Sequence, residues 1–483
     1  MKQLADISKF GAIDADNDDI LLDSFEDHQA FETLMSFDRF LIIGRKGSGK
    51  TAIYKKLLTT REHDFFCWGH TFADYPWHHH SLQARVGIPD YDKFTHSWKY
   101  LILLTVSKVI LNYDYSLPFD QTSMEEMERI QRFIVDSYGT RDPDVTQIFS
   151  PTRELRLAPY FELDWKLFKA GIKPERVPMA ELPIIVQELN SNLTRAVFSC
   201  LSPTNRYFVA FDQLDLGFDP SDPDYKNRLI GLLLAARDLT VAARERNKKF
   251  AVAVFLRDDI YGYLQFEDKN KITENFSSLI EWDTPRTRNT LKDLMEKRFR
   301  ALLGQGSEEV KWEDVFDEHV EMPGHQKKYQ HILDRTFLRP RDVIRFCNQI
   351  LQQYKARKEL GESISTKFEN VDVHDARVEL HKHVPNYKDY LELLRSIGTW
   401  HFERDDFGRE FKARYPNDEL DPSGALQHLF TFSIVGFYRP GGRGYGGSEY
   451  VFKYKEPMSR FDPTATRFRI HPGLIEYLGL KRL

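Results

Sequence analysis

The sequence predicts an α/β protein built on a doubly wound parallel sheet, and three observations carry that prediction. The octapeptide Gly44-Arg45-Lys46-Gly47-Ser48-Gly49-Lys50-Thr51 fills every position of the G-x-x-x-x-G-K-[ST] phosphate-loop pattern. Apolar runs at residues 40–43, 207–211 and 250–256 read as strands covered on both faces, and 65–70 and 279–282 read as two further strands. Helical periodicity fills the gaps between them, so the strands are joined by crossovers.

In chain order, residues 40–43 lead into the loop and 52–58 continue as an amphipathic helix. A chain that leaves a buried strand, turns on glycines and enters a helix aims successive N–H groups and the positive helix end into one hollow, which suits a polyphosphate. Gly44 through Ala52 is therefore the candidate nucleotide cradle, with Lys50 placed for the outer phosphates and the Thr51 hydroxyl for Mg²⁺. The strand at 207–212 ends in Asp212, the second candidate Mg²⁺ carrier. Just beyond it, Asp215 or Gln213 can orient an attacking water; alternatively Asp215 caps the turn before Asp219-Pro220-Ser221-Asp222-Pro223. Leu229, Leu232, Leu233, Ala236 and Leu239 mark a helix over 225–245. The strand at 250–256 then ends at Arg257-Asp258-Asp259, where Arg257 either reaches the γ-phosphate or pairs with Asp258 or Asp259.

Residues 71–206 exceed what one crossover needs and carry helical spacing at 97–111, 124–138 and 181–200, so they form a helical insert or an elaborated face of the sheet. The Trp77-His78-His79-His80 cluster suggests a metal, but adjacent histidines cannot share one ion without a contorted backbone, and no acid or cysteine at ligand spacing accompanies them. From 421 onward nine Lys and Arg stand against five Asp and Glu, although the whole chain carries a net charge of −5. There a short helix at 425–430, a strand at 434–438, a Gly- and Arg-rich tip, a returning strand at 449–454 and a third at 466–470 make Arg439, Arg443, Lys453 and Lys455 candidate nucleic-acid contacts. A protein-contact hairpin is the alternative. No run approaches the roughly 20 apolar residues of a membrane span. With no signal-peptide core at Met1-Lys2-Gln3-Leu4, a cytoplasmic protein is expected. Cys67, Cys200 and Cys347 are too scattered for a disulfide framework.

Taken together, the loop through Ala52, the segment Asp212-Gln213-Leu214-Asp215 and the segment Phe255-Leu256-Arg257-Asp258-Asp259-Ile260-Tyr261 resemble the STAND and KAP-like branch of AAA+-related P-loop ATPases. More narrowly they resemble a bacterial family with a GRKGSGK[ST]A loop whose genes often lie in anti-phage defence loci. Phe10-Gly11, Asp14-Ala15, Asp268-Lys269-Asn270-Lys271-Ile272 and Glu281-Trp282-Asp283 are similar to that family's pattern. The resemblance runs over residues 8–360. It implies ATP and Mg²⁺ as cofactors, hydrolysis used as a switch, and assembly as a homo-oligomer or with a partner effector. Leu338-Arg339-Pro340-Arg341-Asp342 resembles the x-P-R sensor of AAA+ lids and implies that Arg341 senses the γ-phosphate, with an ion pair to Asp342 as the alternative. One departure is that Gln213 and Leu216 stand where related families carry the glycine and final glutamate of D-G-x-D-E.

The expected organisation is a P-loop ATPase core over 1–300 with its insert at about 75–205, a helical lid over 301–385 and a winged-helix-like domain over 386–483. The resemblance implies a Mg²⁺-dependent ATPase acting as a nucleotide-controlled switch or assembly factor in prokaryotic defence. A DNA-binding initiator and a non-hydrolysing nucleotide-bound scaffold are the alternatives.

Overall fold

Strand β4 (Lys249–Arg257), apolar and buried from Phe250 to Leu256, and the buried β1 (Leu41–Gly44) need cover on both sides, and a parallel sheet flanked by helices supplies it. A computed structural model describes residues 3–71, 90–149, 182–216, 219, 222–303, 309–374, 376, 380, 387–416, 421–441, 447–457 and 459–481. In it β2 (Phe65–Thr71), β3 (Arg206–Asp212) and β5 (Ser277–Leu279) join β1 and β4 in a five-stranded sheet of order β2-β3-β4-β1-β5, every pair parallel. The chain is thus a mixed α/β protein.

By backbone proximity it divides into two units, one of Asp27–Lys46 and Lys50–Ile280, the other of Met1–Glu26, Gly47–Gly49 and Glu281–Leu483. The first contains the parallel sheet. Its helix α1 (Lys50–Thr59) follows the glycine-rich loop, and α2 (Asp90–Asn112), α3 (Gln121–Tyr138), α4 (Leu182–Cys200) and α5 (Pro223–Glu245) complete the layers. Trp98 on α2 packs edge-on against Phe211 of β3 and donates its indole N–H to the Arg228 carbonyl at 2.9 Å. The helices of the long insertion therefore share the sheet's own core, so the elaborated-face alternative describes them better than a separate insert. At Gly231 of α5 a Cβ would lie 2.7 Å from Phe94 Cβ and 2.9 Å from the Thr95 nitrogen, so α2 and α5 meet nearly backbone to backbone.

The fifth strand lies earlier than the 279–282 expected. Ser277 and Ser278 break the apolar pattern, yet at this sheet edge the Ser278 hydroxyl pairs with that of Thr33 at 2.7 Å, which satisfies the polar group inside a strand. Ile280 keeps one link, its N–H donating to the Ile43 carbonyl at 2.8 Å.

In the second unit the N-terminal segment packs with the later chain. Phe10 stacks edge-on against Phe299 and Phe368, and Arg298 bridges the Phe10 carbonyl and the buried Asp18 carboxylate. Helices α6 (Leu291–Leu303) and α7 (Pro340–Glu359) belong here, α7 starting with proline at its first position, where the missing N–H costs nothing. Further along come α8 (Tyr387–Ile397), β6 (His401–Glu403), α9 (Arg404–Arg414), α10 (Pro422–Thr431), β7 (Val435–Arg439), β8 (Glu449–Val451) and β9 (Arg467–Ile470). These strands form an antiparallel sheet of order β6-β9-β7-β8. Strand β6 has only three residues and leaves no readable pattern. The returning strand stops at Val451 instead of 454, because the chain turns at once, Lys455 N–H donating to the Phe452 carbonyl at 3.0 Å.

Candidate functional site

The phosphate-loop sequence adopts the conformation its glycines allow. Gly47 and Gly49 have φ of +85° and +112°, a region glycine enters without penalty. A Cβ at Gly49 would meet nothing within 4 Å, so this glycine serves the backbone turn and not a close contact. Ala52 lies in the first turn of α1, Lys46 is exposed, and Arg45 is half-buried.

Lys50 is half-buried and donates through Nζ to the carbonyls of Gly44 and Arg45, at 2.9 and 3.1 Å. Desolvation pulls its pKa down, and Asp212, Asp258 and Asp215 oppose the fall. Asp212, only 2% exposed, accepts from the Thr51 hydroxyl and from the Gln213 N–H. Its Oδ2 has no hydrogen-bond partner among the described residues. Burial raises the pKa of this carboxyl. The structure thus brings Lys50, Thr51 and Asp212 together as the sequence places them, one orphaned carboxylate oxygen included.

Arg257 stands directly beside Gly44 in the β1–β4 register. Its guanidinium donates to Asp259 through Nε (3.0 Å) and Nη2, and to Asp215 Oδ2 through Nη1 (3.0 Å). Burial works against its charge, but the two carboxylates outweigh it and hold the pKa above the usual guanidinium value. Of the two aspartates weighed as ion-pair partners, Asp259 is the one that bonds. Asp215 joins it from across the sheet edge, a contact no local pattern reveals. The turn carrying Asp215 begins at Gln213 with φ of +58°. A left-handed residue is needed there, which is what glycine supplies in the D-G-x-D-E pattern.

Arg341 occupies the second position of α7. Within its own unit its N–H approaches the Gly47 carbonyl at 3.4 Å, and its Nε donates to the Ile13 carbonyl at 3.3 Å. The Asp342 carboxylate is engaged by Arg339, at 2.7 and 2.9 Å. In the same unit the buried Trp282 indole donates to the Ser48 carbonyl at 2.9 Å. Sequence pattern marks Trp282 only as part of a resemblance, since its partner lies 234 positions away.

Of the candidate nucleic-acid cations, Arg439 is bound to Glu449 and Glu456, and Lys453 donates to the Ser459 carbonyl at 2.7 Å. Lys455 is exposed, its ammonium 5.6 Å from the Tyr454 ring centre. Arg443 and the Trp77 to His80 cluster lie outside the described residues. Among the described residues no group of three or more His, Cys, Asp or Glu is arranged to hold a metal, and Cys67, Cys200 and Cys347 are free thiols. No helix among them is long and apolar enough to cross a membrane.

Residues 289–377 match the family model of the FunZ-associated C-terminal helical domain, a span that takes in α6 and α7 and begins after the parallel sheet. Across nearly its whole length the chain is similar to the putative transposon gamma-delta 80.3 kDa protein of Escherichia coli (strain K12). The two are 22% identical over 512 aligned residues, which cover 98% of this chain and 67% of the relative.

Proposed function

We propose that this chain is a Mg²⁺-dependent P-loop ATPase whose nucleotide state works as a switch, and that its fold is of the AAA+-related kind with a winged-helix-like C-terminal domain. The observation that carries the reading is the pairing of the Thr51 hydroxyl with a buried Asp212 whose second oxygen is unsatisfied. A buried, partnerless carboxylate oxygen is costly unless something cationic meets it. The donor set of one hydroxyl and one carboxylate suits Mg²⁺, which keeps several waters and takes the rest from phosphate. When bound, the ion would neutralise charge on the β- and γ-phosphates.

The chain's own residues account for the remaining steps. Lys50 is bonded to two neutral carbonyls of its own loop and would exchange them for anionic phosphate oxygens, which form stronger charge-assisted bonds. Arg257 sits beside Gly44 and is clasped by Asp215 and Asp259. A γ-phosphate there would compete for the guanidinium, and giving up the one Asp215 bond would free a carboxylate oxygen to orient water. Arg341, already bonded to Gly47, would report the loop's state. Three helices followed by a hairpin and a further strand support the winged-helix reading of 387–470. The sequence holds no G-x-S-x-G or H-E-x-x-H run, so the switch would act on other copies or on a partner chain.

The test is ATP turnover with Mg²⁺, together with copurified nucleotide and native mass, for wild type and Lys50→Ala. Turnover and bound adenine nucleotide in wild type alone support the reading. Equal turnover in both, or bound nucleotide without any turnover in wild type, rejects it.

A further inference from the structure

The antiparallel sheet presents two faces. Phe402, Phe468, Phe437 and Val451 align across its four strands and are buried. Alternation places His401, Tyr438, Tyr450, Arg467 and Arg469 on the opposite face. Trp400, just before β6, extends that face: its ring lies 4.4 Å from that of His401, and the Arg469 guanidinium stacks over it at 4.0 Å. His401 is 5.2 Å from Tyr450, and Tyr450 is 5.5 Å from Tyr438. Arg467 lies 5.8 Å from the Tyr438 ring, and Arg469 the same distance from Tyr450. Rings and guanidinium planes are interleaved across the sheet, and the four rings are only partly covered.

The charges on this face are unbalanced. Arg467 meets Glu403 at 3.2 Å in an exposed pair, which is weakly held. Arg469 has no hydrogen bond or ion pair from its side chain among the described residues, and its Nε and the Trp400 indole N–H are buried without acceptors. The nearest acid, Asp334, favours its charge without bonding to it and is itself held by Gln326 and Gln330, so an anion that reaches the half-buried guanidinium stabilises it further. The hairpin cations differ, since Arg439 already holds two glutamates.

We propose that this face binds single-stranded nucleic acid, with bases stacking on Trp400, Tyr450 and Tyr438 and backbone phosphates on Arg467 and Arg469. Every base has a π-face and every linkage a phosphate, so a strand uses both components at once. An acidic peptide uses the arginines and leaves the rings half-covered, and a duplex hides the base faces. The inference does not rest on the nucleotide reading, and either can fail alone.

The test uses the full chain, a fluorescein-labelled oligothymidylate of about 16 nucleotides and an unlabelled duplex as competitor. Binding at low salt is expected to be displaced by single strands and not by duplex. Arg467→Ala with Arg469→Ala should weaken it about tenfold or more and flatten its salt dependence. Tyr438→Ala should weaken it about tenfold. Arg467→Ala alone, at an exposed site, keeps the experiment decisive if the double variant does not fold. The proposal is overturned by absence of binding at low salt, by equal competition from duplex, or by loss with Arg439→Ala and Lys455→Ala while the face variants bind normally. It is equally overturned if Arg467→Glu dissolves a self-association seen by sedimentation and leaves oligonucleotide binding intact, because the face then covers a second copy.

Discussion

At the carboxyl edge of the parallel sheet Arg257 is clasped by Asp215 and Asp259, and Lys50 is tied to two loop carbonyls beside Asp212. On the outer face of the antiparallel sheet the Arg469 guanidinium lies over the Trp400 indole, with no acid bonded to it among the described residues. The first arrangement fixes a few charged atoms against one another, which suits the compact polyanion and metal proposed for it. The second spreads weak contacts over a surface, which suits the flexible polymer proposed for it. The same residue types serve both, and burial and partner count separate them.

The sharpest way to break this contrast is at the rigid end. Lys50→Ala is expected to lower ATP turnover by about two to three orders of magnitude, the usual effect of removing one preorganised charge stabiliser. It should leave oligonucleotide binding at the other sheet unchanged, and a parallel loss of both activities would argue that the two sheets do not work separately.

Next in size is a pH effect confined to the parallel sheet. His70 on β2 is buried against Phe211 and bonded to Thr105, and burial, aided by Lys108, lowers its pKa from 6.5 to about 4. Between those values the folded chain binds fewer protons than the unfolded one, so stability falls as pH drops from about 6.5 to 4. The full loss is about 3 kcal/mol. Denaturant titrations at several pH values should show that slope in wild type and lose most of it in His70→Gln.

Gly231→Ala comes third. Its new Cβ would press on the Phe94 backbone, so a loss of about 1–3 kcal/mol is expected by thermal unfolding. The smallest effect is Gln213→Gly, which relieves a left-handed residue and should change stability by about 0.5–1 kcal/mol in the favourable direction. Retained turnover in that variant would show that Gln213 shapes the turn and does not orient water.

Much of the parallel sheet was legible because its chemistry is local in sequence. Glycine spacing marks the loop, and unbroken apolar runs mark β1, β3 and β4, since a strand buried on both faces admits little else; β2, half-buried at the sheet edge, shows through its aromatic residues. Strand β5 lies earlier than its apolar run because Ser277 donates to the Thr273 carbonyl and Ser278 pairs with Thr33, a partner 245 positions away. The Asp215 bond to Arg257 and the Trp282 bond to Ser48 were unreadable for the same reason, as each joins residues far apart along the chain. On the antiparallel sheet, counting cations singled out Arg439, which its glutamates neutralise, and passed over Arg469, whose standing depends on which face of a short strand it occupies.

The most direct measurement of the central claim is ATP binding by calorimetry with and without Mg²⁺, for wild type and Asp212→Asn. Wild type should bind more tightly when Mg²⁺ is present, and Asp212→Asn should keep its metal-free affinity and lose the Mg²⁺-dependent gain. ATP binding that is absent in wild type, or a Mg²⁺-dependent gain undiminished in Asp212→Asn, would contradict the account.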